Sequence, residues 1–190
     1  SFFIELPEGY VERISSAFNS TEELDSSAAS RPHFWGIAQN MAADHPLGVG
    51  PGCYNSFYNL YDSSNGAFGL SRTVHSSHFQ ILSEIGYLGT LIWILLIFTS
   101  LKRQFYIRKT AIKNKADQSY HFYEHASVAL ICSQIVFVIG GSFYALAYND
   151  LIWLIWGLTI ALTKLLDNKL SKQKDAAKTE PNSSRKTFTR

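Results

Sequence analysis

The 190-residue chain has only two cysteines, one methionine and five prolines. Cys53 lies in a glycine-rich stretch and Cys132 in the middle of a long apolar one. That separation excludes a disulfide framework and a cysteine-based zinc site. The first residue is Ser1 rather than Met, and Phe2-Phe3-Ile4 reads as the end of an earlier apolar segment. The chain is therefore expected to be a piece of a longer one, with further membrane helices upstream and no signal peptide to interpret. The most telling lack is of charge: no Asp, Glu, Lys or Arg occurs in the 17 residues Ile85–Leu101 or the 25 residues His125–Asn149. Overall values of 46% apolar residues and net charge +2 suit a soluble domain, but such an uneven distribution does not.

A helix needs about 20 apolar residues to cross a bilayer, so the two charge-free stretches are expected to span one. A third apolar stretch, Leu151–Thr163, has only 13 residues between Asp150 and Lys164. It reaches membrane length if the Lys164 ammonium snorkels and the helix runs on to about Leu166. Basic residues are scarce at the amino-terminal end: of seventeen, only Arg13, Arg31 and Arg72 precede residue 79. The other fourteen fall between the first two apolar stretches or after the third. The positive-inside rule then puts the basic segments in the cytoplasm and residues 1–78 outside.

The expected fold is all-α: a polytopic integral membrane protein with an extracytoplasmic helical loop region. Residues 1–78 form that outer region and 79–101 the first transmembrane helix. A cytoplasmic basic loop at 102–124 leads to transmembrane helices at 125–148 and 149–167 and a tail at 168–190. The tail is rich in Lys, Ser, Thr and Ala and is expected to be disordered. The alternative, core helices of a soluble α protein, weighs about evenly for the third stretch alone. Against it for the set stand Trp93, Trp153, Trp156, Tyr144 and Tyr148 near the span ends, where interfacial aromatics collect. Gly140-Gly141-Ser142 would permit close helix approach.

Chemistry is expected in the outer region. Residues 22–30 are small, polar and acidic, as in a loop, and Ser30-Arg31-Pro32 reads as a helix start. Phe34, Ile37, Ala38 and Met41 give the following helix, to about Ala43, one apolar face. Arg31 at its amino end would combine a guanidinium fork with free backbone N–H groups, a good phosphate site. His45-Pro46-Leu47-Gly48-Val49-Gly50-Pro51-Gly52 reads as a tight turn rather than a dinucleotide loop, because a helix precedes it and Pro51 interrupts the pattern. Tyr54, Phe57, Tyr58, Tyr61 and Phe68 follow, as packing or as stacking faces for a sugar. If the first membrane helix begins early enough, Arg72, His75 and His78 share one face. Two histidines so spaced could ligate a metal, but the nearest carboxylates, Asp44 and Glu84, complete no standard ligand pattern.

Taken in order, Arg31 with Trp35, the Pro46-Leu47-Gly48-Val49-Gly50 turn and the run His75-Ser76-Ser77-His78 through Glu84-Ile85-Gly86-Tyr87-Leu88-Gly89 resemble the C-terminal half of the O-antigen ligase and polymerase superfamily. The resemblance covers about residues 30–100, and the helices that follow agree with that family's end. Ser76 stands where the family usually has Asn.

The resemblance implies a multi-pass bacterial inner-membrane glycosyltransferase of cell-surface polysaccharide biosynthesis. It would move a glycan from a polyprenyl (undecaprenyl) pyrophosphate carrier to an acceptor hydroxyl on the periplasmic face, without metal or other cofactor. It implies Arg31 as pyrophosphate ligand and His75 as the residue assisting the acceptor; Arg72, His78 and Trp35 are expected beside them as further substrate contacts. Lipid A core, a growing polymer and protein Ser or Thr all stay open as acceptors. Membrane lipids are the remaining partners, and no nucleic acid is expected. The competing reading is a non-catalytic membrane subunit or transporter fragment, whose outer loop only packs.

Overall fold

The computed structural model describes residues 21–179, with side chains from 30 to 176, and is all-helical there. The Phe2-Phe3-Ile4 segment and the last eleven residues of the expected tail lie outside the described residues. The helices are α1 (Thr21–Asp44), α2 (Tyr54–Tyr61), α3 (Ser77–Lys113), α4 (His121–Gly141) and α5 (Asp150–Thr179), with a 3₁₀ turn at Gln118–Tyr120 before α4. They divide into two compact units. The first runs to Thr90 and includes Phe143–Ala145; the second holds Leu91–Ser142 and the residues from Leu146 onward.

The first unit is built on α1 and α2. Phe34, Ile37, Ala38 and Met41 are buried at helical spacing and pack with Tyr54, Tyr58 and Val74. The Tyr54 hydroxyl, sealed in this core, donates to the Phe34 carbonyl at 2.9 Å. Burial first, then the neighbouring Tyr58, pushes the Tyr54 phenol pKa well up. Helix α1 begins at Thr21 and not near Pro32, so residues 22–30 are helix rather than loop. Pro32 lies inside α1, where it removes one backbone hydrogen bond. The buried face spaced at i, i+3, i+4 and i+7 keeps the helix intact beyond it. Arg31 is consequently mid-helix, and the expected free N–H groups beside it are absent.

The glycine turn and α3 interlock. At Gly86 (φ 72°, ψ −167°) α3 breaks into two helical segments. There the Tyr87 N–H, which a continuous helix would give to the Ser83 carbonyl, donates instead to the Pro46 carbonyl at 3.0 Å. The Ser83 and Glu84 carbonyls in turn accept from Val49 N–H (2.9 Å) and Gly50 N–H (3.0 Å). Glu84, 2% exposed, accepts from the backbone N–H groups of Gly52 (2.9 Å) and Tyr54 (3.2 Å), fixing the start of α2. A Cβ on Gly86 would lie 2.1 Å from the Pro46 carbonyl oxygen, and one on Gly48 2.3 Å from that of Glu84. The two glycines permit this contact because neither carries a side chain.

In the second unit a buried polar cluster joins three helices. Gln104 Nε2 donates to Gln134 Oε1 (2.8 Å) and Thr159 Oγ1 (2.9 Å), Ser100 Oγ donates to Gln134 Oε1 (2.9 Å), and Gln134 Nε2 donates to the Ile97 carbonyl (2.9 Å). Such bonds hold apolar helices together where water is absent. Trp93 and Trp156, expected at span ends, are instead buried and meet edge to face at 5.4 Å, with Phe137 against Trp93. Trp153 is half exposed and T-shaped to Trp156. A Cβ on Gly140 would meet nothing within 4 Å, so that glycine mediates no close approach.

Among the described residues two helices are long and apolar enough to cross a membrane, Ser77–Lys113 and Gln118–Gly141. The charge-free run of α5 is shorter, as its flanking Asp150 and Lys164 require. Much of the expected basic loop is helix, since α3 runs to Lys113 on good helix formers and buries Ile107 and Ala111. The second long apolar helix, α4, begins at His121 and stops at Gly141, ahead of the boundaries expected for it, and Asn149 Oδ1 accepts from Leu151 N–H to start α5. Order also extends past Asn168. Lys169 lies over the Tyr120 ring at 3.8 Å, and the Tyr120 hydroxyl donates to Gln173 Oε1 at 2.6 Å. These contacts anchor a segment whose composition alone predicts disorder.

Candidate functional site

Two basic residues of the first unit, Arg72 and His75, come together around Phe34. Its buried ring lies 5.7 Å from the His75 ring and 6.0 Å from the Arg72 guanidinium carbon. Arg31, three residues before Phe34, extends over the Phe143 ring at 5.4 Å. Burial, then the charges of Arg72 and Arg31, lowers the His75 pKa from its ordinary value. The imidazole is therefore neutral, and able to accept a proton, under conditions where a solvent-exposed histidine begins to be protonated.

His75 does not belong to a helix. Its φ of +49° places a bulky residue in the left-handed region, a strained state found preferentially at functional sites. Helix α3 starts only at Ser77, so Arg72, His75 and His78 do not share a helical face. His78 sits in the first turn of α3, half-buried. His75 Nε2 and Thr73 Oγ1 are 3.0 Å apart, in a hydrogen bond whose direction follows the ring tautomer. When Nε2–H donates to Thr73, Nδ1 carries the free lone pair. Ser76, in place of the usual Asn, is buried, and its carbonyl accepts from Gln80 N–H at 2.9 Å, opening the helix. The Ser77 hydroxyl donates to the Tyr144 carbonyl at 2.8 Å, which ties segment 143–145 beside the site.

Trp35 stacks nearly parallel on Phe79, with ring centroids 5.2 Å apart, and is half-buried. Its Nε1 is buried and has no hydrogen-bond partner among the described residues. Of the expected aromatic stacking faces, Tyr54 and Tyr58 are core, whereas Phe68 is 37% exposed. Glu84 is fully engaged by backbone N–H groups. No three His, Cys, Asp or Glu side chains gather as metal ligands would, among the described residues.

Sequence reasoning missed His33, Asp62 and Phe143. His33 Nε2 lies 2.9 Å from Asp62 Oδ1, and Asp62 also accepts from the Ser64 hydroxyl and from the Ser64 and Gly66 N–H groups. The Ser64 hydroxyl above all, with these N–H groups and His33, holds the Asp62 carboxyl well below the usual carboxylate range. This hub fastens the loop leading to Arg72 onto α1. Asp62-Ser63-Ser64-Asn65-Gly66 is a recognisable Asx-turn sequence, but nothing local links it to His33. Phe143 is 112 residues beyond Arg31 in the sequence, too far for any spacing rule.

Residues 2–94 match the family model of the O-antigen ligases. The match holds Arg31, Trp35, the glycine turn, Arg72, His75, His78 and the Gly86 break. No curated protein and no solved structure matches the chain.

Proposed function

We propose that this chain, O-antigen ligase-like over residues 2–94, provides the pyrophosphate and acceptor site of a membrane glycosyltransferase. The donor is a glycan on a polyprenyl pyrophosphate and the acceptor a hydroxyl, both met on the outer face of the bacterial inner membrane. The observation that carries this reading is the placing of a strained, neutral His75 within the field of two guanidinium groups. Arg31 and Arg72 bind the pyrophosphate, whose planar-fork recognition suits guanidinium. The acceptor oxygen attacks the anomeric carbon as its proton passes to His75 Nδ1. The bond from that carbon to the pyrophosphate oxygen breaks, and the polyprenyl pyrophosphate leaves with the electron pair. Both arginines stabilise the negative charge that grows on the leaving group. A leaving group of this kind makes a metal unnecessary in principle. Three crossings, with the basic segments in the cytoplasm, place the first unit on the donor's side.

Arg31→Lys keeps the charge and loses the two-point geometry. A transfer assay on the intact protein is expected to show a drop for Arg31→Lys close to that for Arg31→Ala; unchanged transfer in Arg31→Ala at normal protein level refutes the role. Topology is tested by single cysteines in a background lacking Cys53 and Cys132. An impermeant thiol reagent added to intact spheroplasts is expected to label Asn55→Cys and not Ser119→Cys, and labelling of both contradicts the three-crossing arrangement.

The two arginines also leave a signature in pH. Because they help lower the His75 pKa, the acid limb of kcat/KM should lie below the roughly 6.5 of an ordinary histidine. Removing one positive neighbour makes protonation easier, so Arg72→Gln should move that limb upward. A limb that stays in place or moves down denies the electrostatic link.

A further inference from the structure

The second unit contains a groove between α3 and α5, about 240 Å³ in volume, lined by Leu96, Ser100 and Arg103 on one side and Trp156, Thr159 and Ile160 on the other. It is smaller than the roughly 300–1,000 Å³ of pockets that enclose a drug-sized ligand. Its hydroxyls offer little to a polar guest. Thr159 donates to the Ile155 carbonyl at 2.8 Å, Ser100 to Gln134, and Thr99, which also lines the groove, to the Leu95 carbonyl at 2.7 Å. The wall is in effect apolar until Arg103, which is exposed. The Gln104–Thr159 and Tyr106–Asp167 bonds show that α3 and α5 run in the same direction. Lys164, one turn after Ile160 and also exposed, therefore follows on the same face of α5 at the end where Arg103 stands on α3. No carboxylate lines the groove, and the nearest on α5, Asp167, accepts from the Tyr106 hydroxyl at 2.9 Å.

We propose that this groove is a binding site for one anionic phospholipid. An acyl chain lies between Leu96, Trp156 and Ile160, and the phosphate sits between Arg103 and Lys164, at the membrane face that carries the basic segments. Charge complementarity selects this occupant. An apolar trench that ends at Arg103, with Lys164 one helical turn beyond Ile160, matches an alkyl chain with an anionic head, and a zwitterionic lipid would bring its own cation against them. The site shares no residue with the one around His75.

The test titrates dioleoyl phosphatidylglycerol and dioleoyl phosphatidylcholine into the intact, delipidated protein in detergent and counts retained lipids by native mass spectrometry. Phosphatidylglycerol should be retained in preference. Arg103→Gln with Lys164→Gln should weaken it by about thirty-fold, at about fivefold for each cation near a lipid surface. Ile160→Trp, which fills the trench, should also reduce retention, whereas Lys174→Gln, further along α5, should not. Arg103 and Lys164 are both exposed, so the unfolding midpoint of the double variant without added lipid should equal that of the wild type. Equal retention of phosphatidylcholine, or undiminished phosphatidylglycerol binding by the double variant or by Ile160→Trp, overturns the proposal. So does a photocrosslinking residue in place of Ile160 that joins to another segment of protein and never to lipid.

Discussion

Replacing His75 with alanine in the intact protein is expected to reduce glycan transfer by about 10²–10⁴-fold, the usual contribution of a positioned general base. A sugar or serine hydroxyl is a poor nucleophile while it holds its proton, and imidazole is the side chain best suited to accept that proton near neutrality. Burial and two neighbouring guanidinium groups disfavour the charged form of His75 and so keep it in the proton-accepting state near neutrality. His78 provides the comparison. It stands on α3 rather than in the strained segment, so His78→Ala should retain far more activity at equal protein level. If His78→Ala abolished transfer while His75→Ala stayed near wild type, the roles would be exchanged.

The second large effect concerns folding. Gly86→Ala places a Cβ 2.1 Å from the Pro46 carbonyl oxygen in a backbone conformation open almost only to glycine. Backbone has to move, and with it the bonds that Val49, Gly50 and Tyr87 make across the contact. The expected destabilisation exceeds about 3 kcal/mol, beyond the usual range of point substitutions. Gly52→Ala is the control. It also has positive φ, but its Cβ would meet nothing within 4 Å, so only backbone strain of about 1 kcal/mol is expected. Thermal unfolding in detergent separates the two: a Gly86→Ala midpoint no lower than that of Gly52→Ala removes the interlock from the account.

This interlock joins the glycine turn to the Glu84-Ile85-Gly86 segment of this chain. Each is shaped to receive the other's backbone. The helical class, the two long apolar helices and the buried face of α1 were legible because helical periodicity marks a buried face and charge depletion marks an apolar helix. Helix ends were less so. Pro32 looked like a start, yet the tertiary contacts of Phe34 and Met41 keep α1 intact beyond it, and Lys169 is ordered by an aromatic ring some fifty residues earlier. Of the residues expected at the site, Arg72 and Arg31 lie close enough for their charges to act on His75. Their true setting depends on Phe34 and on a left-handed His75 that no helical wheel reveals.

The central claim gives two residues different tasks, and measuring donor binding and transfer in the same proteoliposomes tests it most directly. With a polyprenyl pyrophosphate glycan as ligand, Arg31→Ala should lose donor binding and transfer together. His75→Ala should bind donor as the wild type does and fail to transfer it. Two variants that bind donor equally well and transfer it at wild-type rates would contradict the account, as would a His75→Ala protein whose loss of transfer is fully explained by loss of donor binding.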